Sequence, residues 1–171
     1  MNWTAGMNPR LKYGLMAGFW MGAIYAGFIA NRWYNSETGA YLVPIIWAFL
    51  VVFILLGIWN ERKLNAGSLE LGEGFKAGLG ITVVAGLVFS VFVYFIMRNY
   101  GDIYIEYMSA VFKEQMFKKD FTQEDIVIRL KGFADMNAPY PRALQELMMT
   151  IAIGTVFSLV FALILKRKPV S

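Results

Sequence analysis

The side chains able to do chemistry are few, and most stand at the ends of apolar runs. None of the 171 residues is Cys or His, which removes a thiol nucleophile, a zinc-thiolate site, an imidazole base and a haem ligand. General acid–base work would then fall chiefly to carboxylates. Asp102 with Glu106, and Glu124 with Asp125, form acidic pairs, and Asp135 stands nearby. On amphipathic helices such residues more often cap or solvate than react. Gly72 and Gly74 flank Glu73, but a G-x-G without the rest of a phosphate loop carries little. Tyr25, Thr82, Ser90, Tyr94, Thr155 and Ser158 are hydroxyls inside apolar runs, where bonding to their own or a neighbouring helix satisfies them. No catalytic residue, metal ligand or cofactor is assigned, and the chain reads as a non-enzyme.

The elements that carry these residues belong to a membrane protein. The chain is 58% hydrophobic and 16% aromatic, and only 16% of it is charged, against about 25% in soluble domains. The runs 13–30, 41–59, 77–97 and 147–165 contain no Asp, Glu, Lys or Arg. Each is close to the roughly 20 residues that cross a hydrocarbon core as helix. Spans at about 11–30, 41–59, 75–97 and 143–166 make an all-α four-helix bundle in one polytopic domain. The first, preceded by Arg10 and Lys12, is an uncleaved anchor, because Phe28 stands where a signal-peptide cleavage site needs a small residue. Charge-free runs also argue against a proton-coupled transporter, which needs titratable groups in the membrane.

Positive charge sets the expected orientation. Arg10, Lys12, Arg62, Lys63, Lys76, Lys166, Arg167 and Lys168 lie on one side with Glu61, Glu70 and Glu73, eight basic residues against three acidic. The other side has Arg32 with Glu37, then seven basic and eight acidic residues over 98–146. Both termini are expected in the cytoplasm. The net +4 is thus a topology signal and does not call for nucleic acid. Trp33, Tyr34 and Tyr41 outside and Trp59 inside suit interfacial anchors. The glycosylation triplet Asn2, Trp3, Thr4 falls on the cytoplasmic side and is discounted.

Small residues recur every fourth position in three spans: Gly14, Gly18, Gly22 and Ala26; Gly78, Thr82, Gly86 and Ser90; Gly154, Ser158 and Ala162. Such stripes let helices approach closely where lipid offers no hydrophobic drive. They predict a tight seam of the first, third and fourth spans, with the second span more exposed to lipid. A homo-oligomer is the alternative use of the stripes.

Residues 98–142 are expected to form an extracytoplasmic amphipathic helical hairpin. One helix starts after Gly101 and Asp102, with Tyr104, Met108, Val111 and Phe112 on one face. The second opens at Thr122 with Asp125 as a capping box, ends at Asn137, Ala138 and Pro139, and carries Ile126, Leu130 and Phe133. These seven apolar residues are the candidate partner surface.

The run Leu69 to Leu79 (Leu-Glu-Leu-Gly-Glu-Gly-Phe-Lys-Ala-Gly-Leu), the opening Leu11 to Leu15 and the close from Ile153 to Lys168 resemble domain of unknown function 4199, a family of small four-helix bacterial membrane proteins. The resemblance spans almost the whole chain and implies the bacterial inner membrane. It brings no activity, cofactor or catalytic residue with it. The reading is an accessory, scaffold or interaction subunit that works through helix packing and its outer hairpin, in contact with the lipid bilayer and a membrane-protein partner. A small transporter or channel component is the alternative.

Overall fold

The computed structural model describes residues 7–35 and 37–167, with side chains from residue 43 in the second helix. The triplet at Asn2 to Thr4, Lys168 and the side chains of Glu37 and Tyr41 lie outside the described residues. Five α-helices follow one another: α1 (Pro9–Ala30), α2 (Glu37–Leu64), α3 (Leu71–Phe117), α4 (Gln123–Asn137) and α5 (Pro139–Leu165), with a 3-10 turn at Trp33–Asn35. No strand occurs among them, only an isolated bridge between Leu69 and Arg167. Four of the helices, α1, α2, α3 and α5, are long and apolar enough to cross a membrane.

The helix ends follow from local chemistry. At α1 the Asn8 side chain accepts from the Arg10 amide at 2.9 Å, and Pro9 occupies the first turn, where its missing N–H costs nothing. At α3 the Glu73 carboxylate reaches back to the Glu70 amide at 3.2 Å, which accounts for the acidic, glycine-flanked run as helix punctuation. Between α2 and α3, Gly67 turns the chain at φ 86°, and Arg62 Nε donates to its carbonyl at 3.1 Å. The bridge of Leu69 with Arg167 (2.9 and 3.0 Å) then ties the end of α5 to the entry of α3. Arg10 and Glu61 pair at this same end, 2.6 Å apart.

Two expectations about the segment between the third and fourth spans are corrected. No new helix begins after Gly101 and Asp102: α3 runs unbroken for 47 residues, about 70 Å at 1.5 Å per residue. That is more than twice the roughly 30 Å of hydrocarbon, so the helix continues well past its apolar stretch. Gly101 is buried within it against Met97. The hairpin is therefore the far end of α3 with α4. At its other end, Asn137 and Ala138 do stop α4, but α5 starts at once on Pro139, eight residues before the charge-free run at Leu147. Glu146 thus belongs to a buried helix face.

The cap of α4 has the expected residues in a different pattern. Asp125 N donates to Thr122 Oγ1 at 3.2 Å, and that hydroxyl donates to Asp125 Oδ2 at 2.7 Å. The shorter acid bonds the capping hydroxyl where a Glu would reach the capping amide.

Packing divides the small-residue stripes between two interfaces of α3. The glycines of α1 receive large side chains: a Cβ on Gly14 would lie 2.6 Å from that of Val84, one on Gly18 2.6 Å from that of Val88, and one on Gly22 would collide with the Phe92 ring. On its other side α3 meets α5 small against small, Gly74 on Ala162, Gly78 on Ser158 and Thr82 on Gly154, with Gly86 facing Leu147 and Thr150. Ala26 and Ser90 are half-buried. Thr82, Ser158, Thr150 and Thr155 each donate to the carbonyl one turn back on their own helix, at 2.6–2.9 Å.

The second span is not the lipid-exposed one. Ile46, Leu50, Phe53, Ile54 and Ile58 of α2 are buried. Of its apolar window 33% is buried, as in α3, against 22% in α5. Branched and aromatic side chains fill the space between α2 and its neighbours, where small residues close the α3–α5 contact.

Candidate functional site

At the hairpin end of the bundle, α1, α2, α3 and α5 enclose a cavity of about 150 Å³. Its charged wall comes from the first two turns of α5. Arg142 Nη2 and Glu146 Oε1 pair at 2.6 Å, one helical turn apart. The Tyr25 hydroxyl, from α1, lies 3.5 Å from Met97 Sδ, and Tyr25 lines the cavity together with Arg142. Tyr104, from the extension of α3, completes the polar part.

The remaining walls are apolar and largely aromatic: Phe28, Val43, Ile46, Trp47 and Phe89. Phe89 stands edge-on to both Tyr25 and Trp47, with centroids 5.8 and 6.4 Å apart. Beside the cavity, Tyr34 of the 3-10 turn touches Phe28, Tyr104 and Tyr107 at centroid distances of 6.2, 5.1 and 5.4 Å. These contacts hold Tyr104 beside the turn that follows α1. Further down the bundle Leu50, Ile54, Ile81 and Ala85 have no exposed surface, so the cavity ends on a closed apolar core.

A charged pair in such surroundings is costly unless its hydrogen-bonding capacity is met. Glu146 is held by Arg142, but Arg142 Nε is buried with no partner in the protein. The arrangement can receive an acceptor atom and can bind or orient a small polar group. Among the described residues no group of His, Cys, Asp or Glu could hold a metal ion.

The acidic residues singled out as candidate chemistry lie elsewhere. Asp102, Glu106, Glu124, Asp125 and Asp135 are all exposed on α3 or α4. Arg142 and Glu146 were absent from the candidates because they precede the charge-free run. Their i, i+4 spacing directly ahead of it was the available clue.

The seven apolar residues of the candidate partner surface mostly face one another. The Phe112 and Phe133 rings meet edge to face at 4.9 Å, Ile126 is buried, and Met108, Val111 and Leu130 are half-buried. Tyr104 belongs to the cavity. The apolar residues α4 turns outward are Val127, Ile128 and Met136, 67%, 63% and 59% exposed. On the distal part of α3, Lys118 donates to Glu114 at 2.8 Å and holds that carboxyl below its ordinary range, which suits a solvated helix face.

Compared with known proteins, the sequence matches one family model, described as "Protein of unknown function (DUF4199)", over residues 11–167. No curated protein and no solved structure matches it.

Proposed function

The chain belongs to the DUF4199 family of proteins of unknown function, and we propose that it is a non-enzymatic accessory or interaction subunit of the bacterial inner membrane. Both termini lie in the cytoplasm and the hairpin of α3 and α4 projects from the opposite face. The excess of basic residues at the ends and in the α2–α3 turn supports this orientation.

The observation that carries the reading is the adjacent apolar pair Val127 and Ile128, which α4 turns outward. Within the hairpin Phe112 packs on Phe133 and Ile126 is buried, and this outward pair takes no part in that contact. It offers a surface to a membrane-protein partner, with homo-oligomerisation as the other use of the same surface. The test is purification in mild detergent of wild type beside Val127→Lys/Ile128→Glu. A stoichiometric partner lost from the variant, with unchanged thermal unfolding, is expected; a wild-type monomer with nothing bound refutes the reading.

The cavity favours the second reading, a transporter or channel component, because charged groups inside a bundle commonly mark a polar path. Transport requires the cavity to open to both faces, and the layer at Leu50, Ile54 and Ala85 closes one of them. A single cysteine at Phe89 labelled from both sides of the membrane would support transport; labelling from one side alone would exclude it.

A further inference from the structure

The cavity between α1, α2, α3 and α5 has two opposite charges on one wall and apolar, largely aromatic residues on the others. We infer that it is a binding site for a small zwitterionic group, an ammonium and an oxyanion a few bonds apart, with the oxyanion on Arg142 and the ammonium at Glu146. This site stands apart from the outward apolar pair on α4 and depends on neither reading above.

Charge selects this ligand class. A lone anion drawn to Arg142 meets Glu146 one turn away, and a lone cation drawn to Glu146 meets Arg142. A zwitterion satisfies both without changing the net charge of a site inside a membrane bundle. Hydrogen bonding points the same way. The guanidinium has five N–H donors in a fixed fork, and Glu146 is held through Nη2. Nε remains buried and unpartnered, which is costly until an acceptor arrives. Tyr25, Trp47 and Phe89 line the cavity, and aromatic rings of this kind attract an ammonium through their faces.

Size limits the ligand further. About 150 Å³ is small beside the roughly 300–1,000 Å³ of pockets for drug-sized molecules, so the space suits a head group. Val43, which lines the cavity, is exposed at the surface of α2, so the site is reached from the side of the bundle. The same chemistry is presented by a zwitterionic phospholipid head group and by a free amino acid.

The experiment is native mass spectrometry of the full chain in detergent with dioleoylphosphatidylethanolamine, its N-acetylated form, which lacks the ammonium, and dioleoylphosphatidylglycerol. Soluble O-phosphoethanolamine and glycine are added as competitors and as ligands in thermal unfolding. The zwitterionic lipid should bind about tenfold more tightly than either lipid of single charge, the factor one such contact contributes. The preference should vanish in Arg142→Met/Glu146→Met. If lipids show no preference but glycine or O-phosphoethanolamine raises the unfolding temperature of wild type and not of the double variant, the ligand is the free zwitterion. Equal binding of all three lipids with no effect of the soluble compounds overturns the proposal, as does a preference that survives in the double variant. The comparison within wild type decides the matter even if the variant does not fold.

Discussion

Arg142 and Glu146 hold each other at 2.6 Å across one turn of α5, with side chains only 23% and 11% exposed. Their order is the less favourable one for an isolated helix. The cation stands near the positive N-terminal end, and the acid follows it toward the C-terminus. Helix-intrinsic energetics therefore do not account for the pair. Its environment does: Tyr25 from α1 and Tyr104 from α3 line the cavity that the pair faces.

Removing one partner should cost more than removing both. Arg142→Met or Glu146→Met leaves an uncompensated charge among aromatic rings and is expected to lower stability by on the order of 3 kcal/mol. Arg142→Met/Glu146→Met should recover most of that loss. Denaturation of the three variants in one detergent measures the difference, and additive losses would show that the two side chains do not act as a pair.

The two interfaces of α3 should differ in tolerance. A Cβ on Gly18 would press within 2.7 Å of the Ala85 carbonyl oxygen, which is backbone, whereas one on Gly86 would first meet the Leu147 side-chain end at 3.0 Å. Gly18→Ala is expected to destabilise by about 2 kcal/mol. Gly86→Ala should cost under about 1 kcal/mol, because Ala favours the helix. Equal thermal shifts would mean that the α1–α3 contact opens more readily than its geometry indicates.

Opposite effects are expected within α4. Thr122→Ala removes the acceptor of the Asp125 amide and should weaken the helix by about 1 kcal/mol. Gly132, in the helix interior with nothing within 4 Å of a Cβ, should gain roughly 0.5–1 kcal/mol on conversion to Ala. Hydrogen exchange across 123–137 reads both changes without requiring global unfolding.

The chain has no cysteine, so it is its own cysteine-free background for a test of sidedness. Asp120→Cys, in the α3–α4 turn, should react with a membrane-impermeant maleimide from the extracytoplasmic face, and Lys63→Cys only after permeabilisation. The reverse pattern would invert the proposed topology.

Much of the helical content was legible before any contact was known. Charge-free runs near 20 residues imply helices because an unbonded backbone is too costly in lipid. Thr122 marked a helix start, and Asn137 with Ala138 marked a stop, through bonds made within a few residues. The four-residue glycine and hydroxyl spacing was also visible. Which face each stripe meets was not, since Val84 entering beside Gly14 and Thr82 lying on Gly154 are contacts between distant parts of the chain.

The sequence by itself determined that this is a membrane protein with four apolar helices and no thiol or imidazole chemistry, because composition and run length act through the solvent each residue must occupy. Only the tertiary structure decided that α3 continues through Gly101 and that α5 begins at Pro139. It also decided which charges are buried. Apart from its spacing to Arg142, nothing local distinguishes Glu146 from exposed Asp135: the difference is made by α1, α2 and α3, which surround one carboxylate with aromatic rings and leave the other in the open.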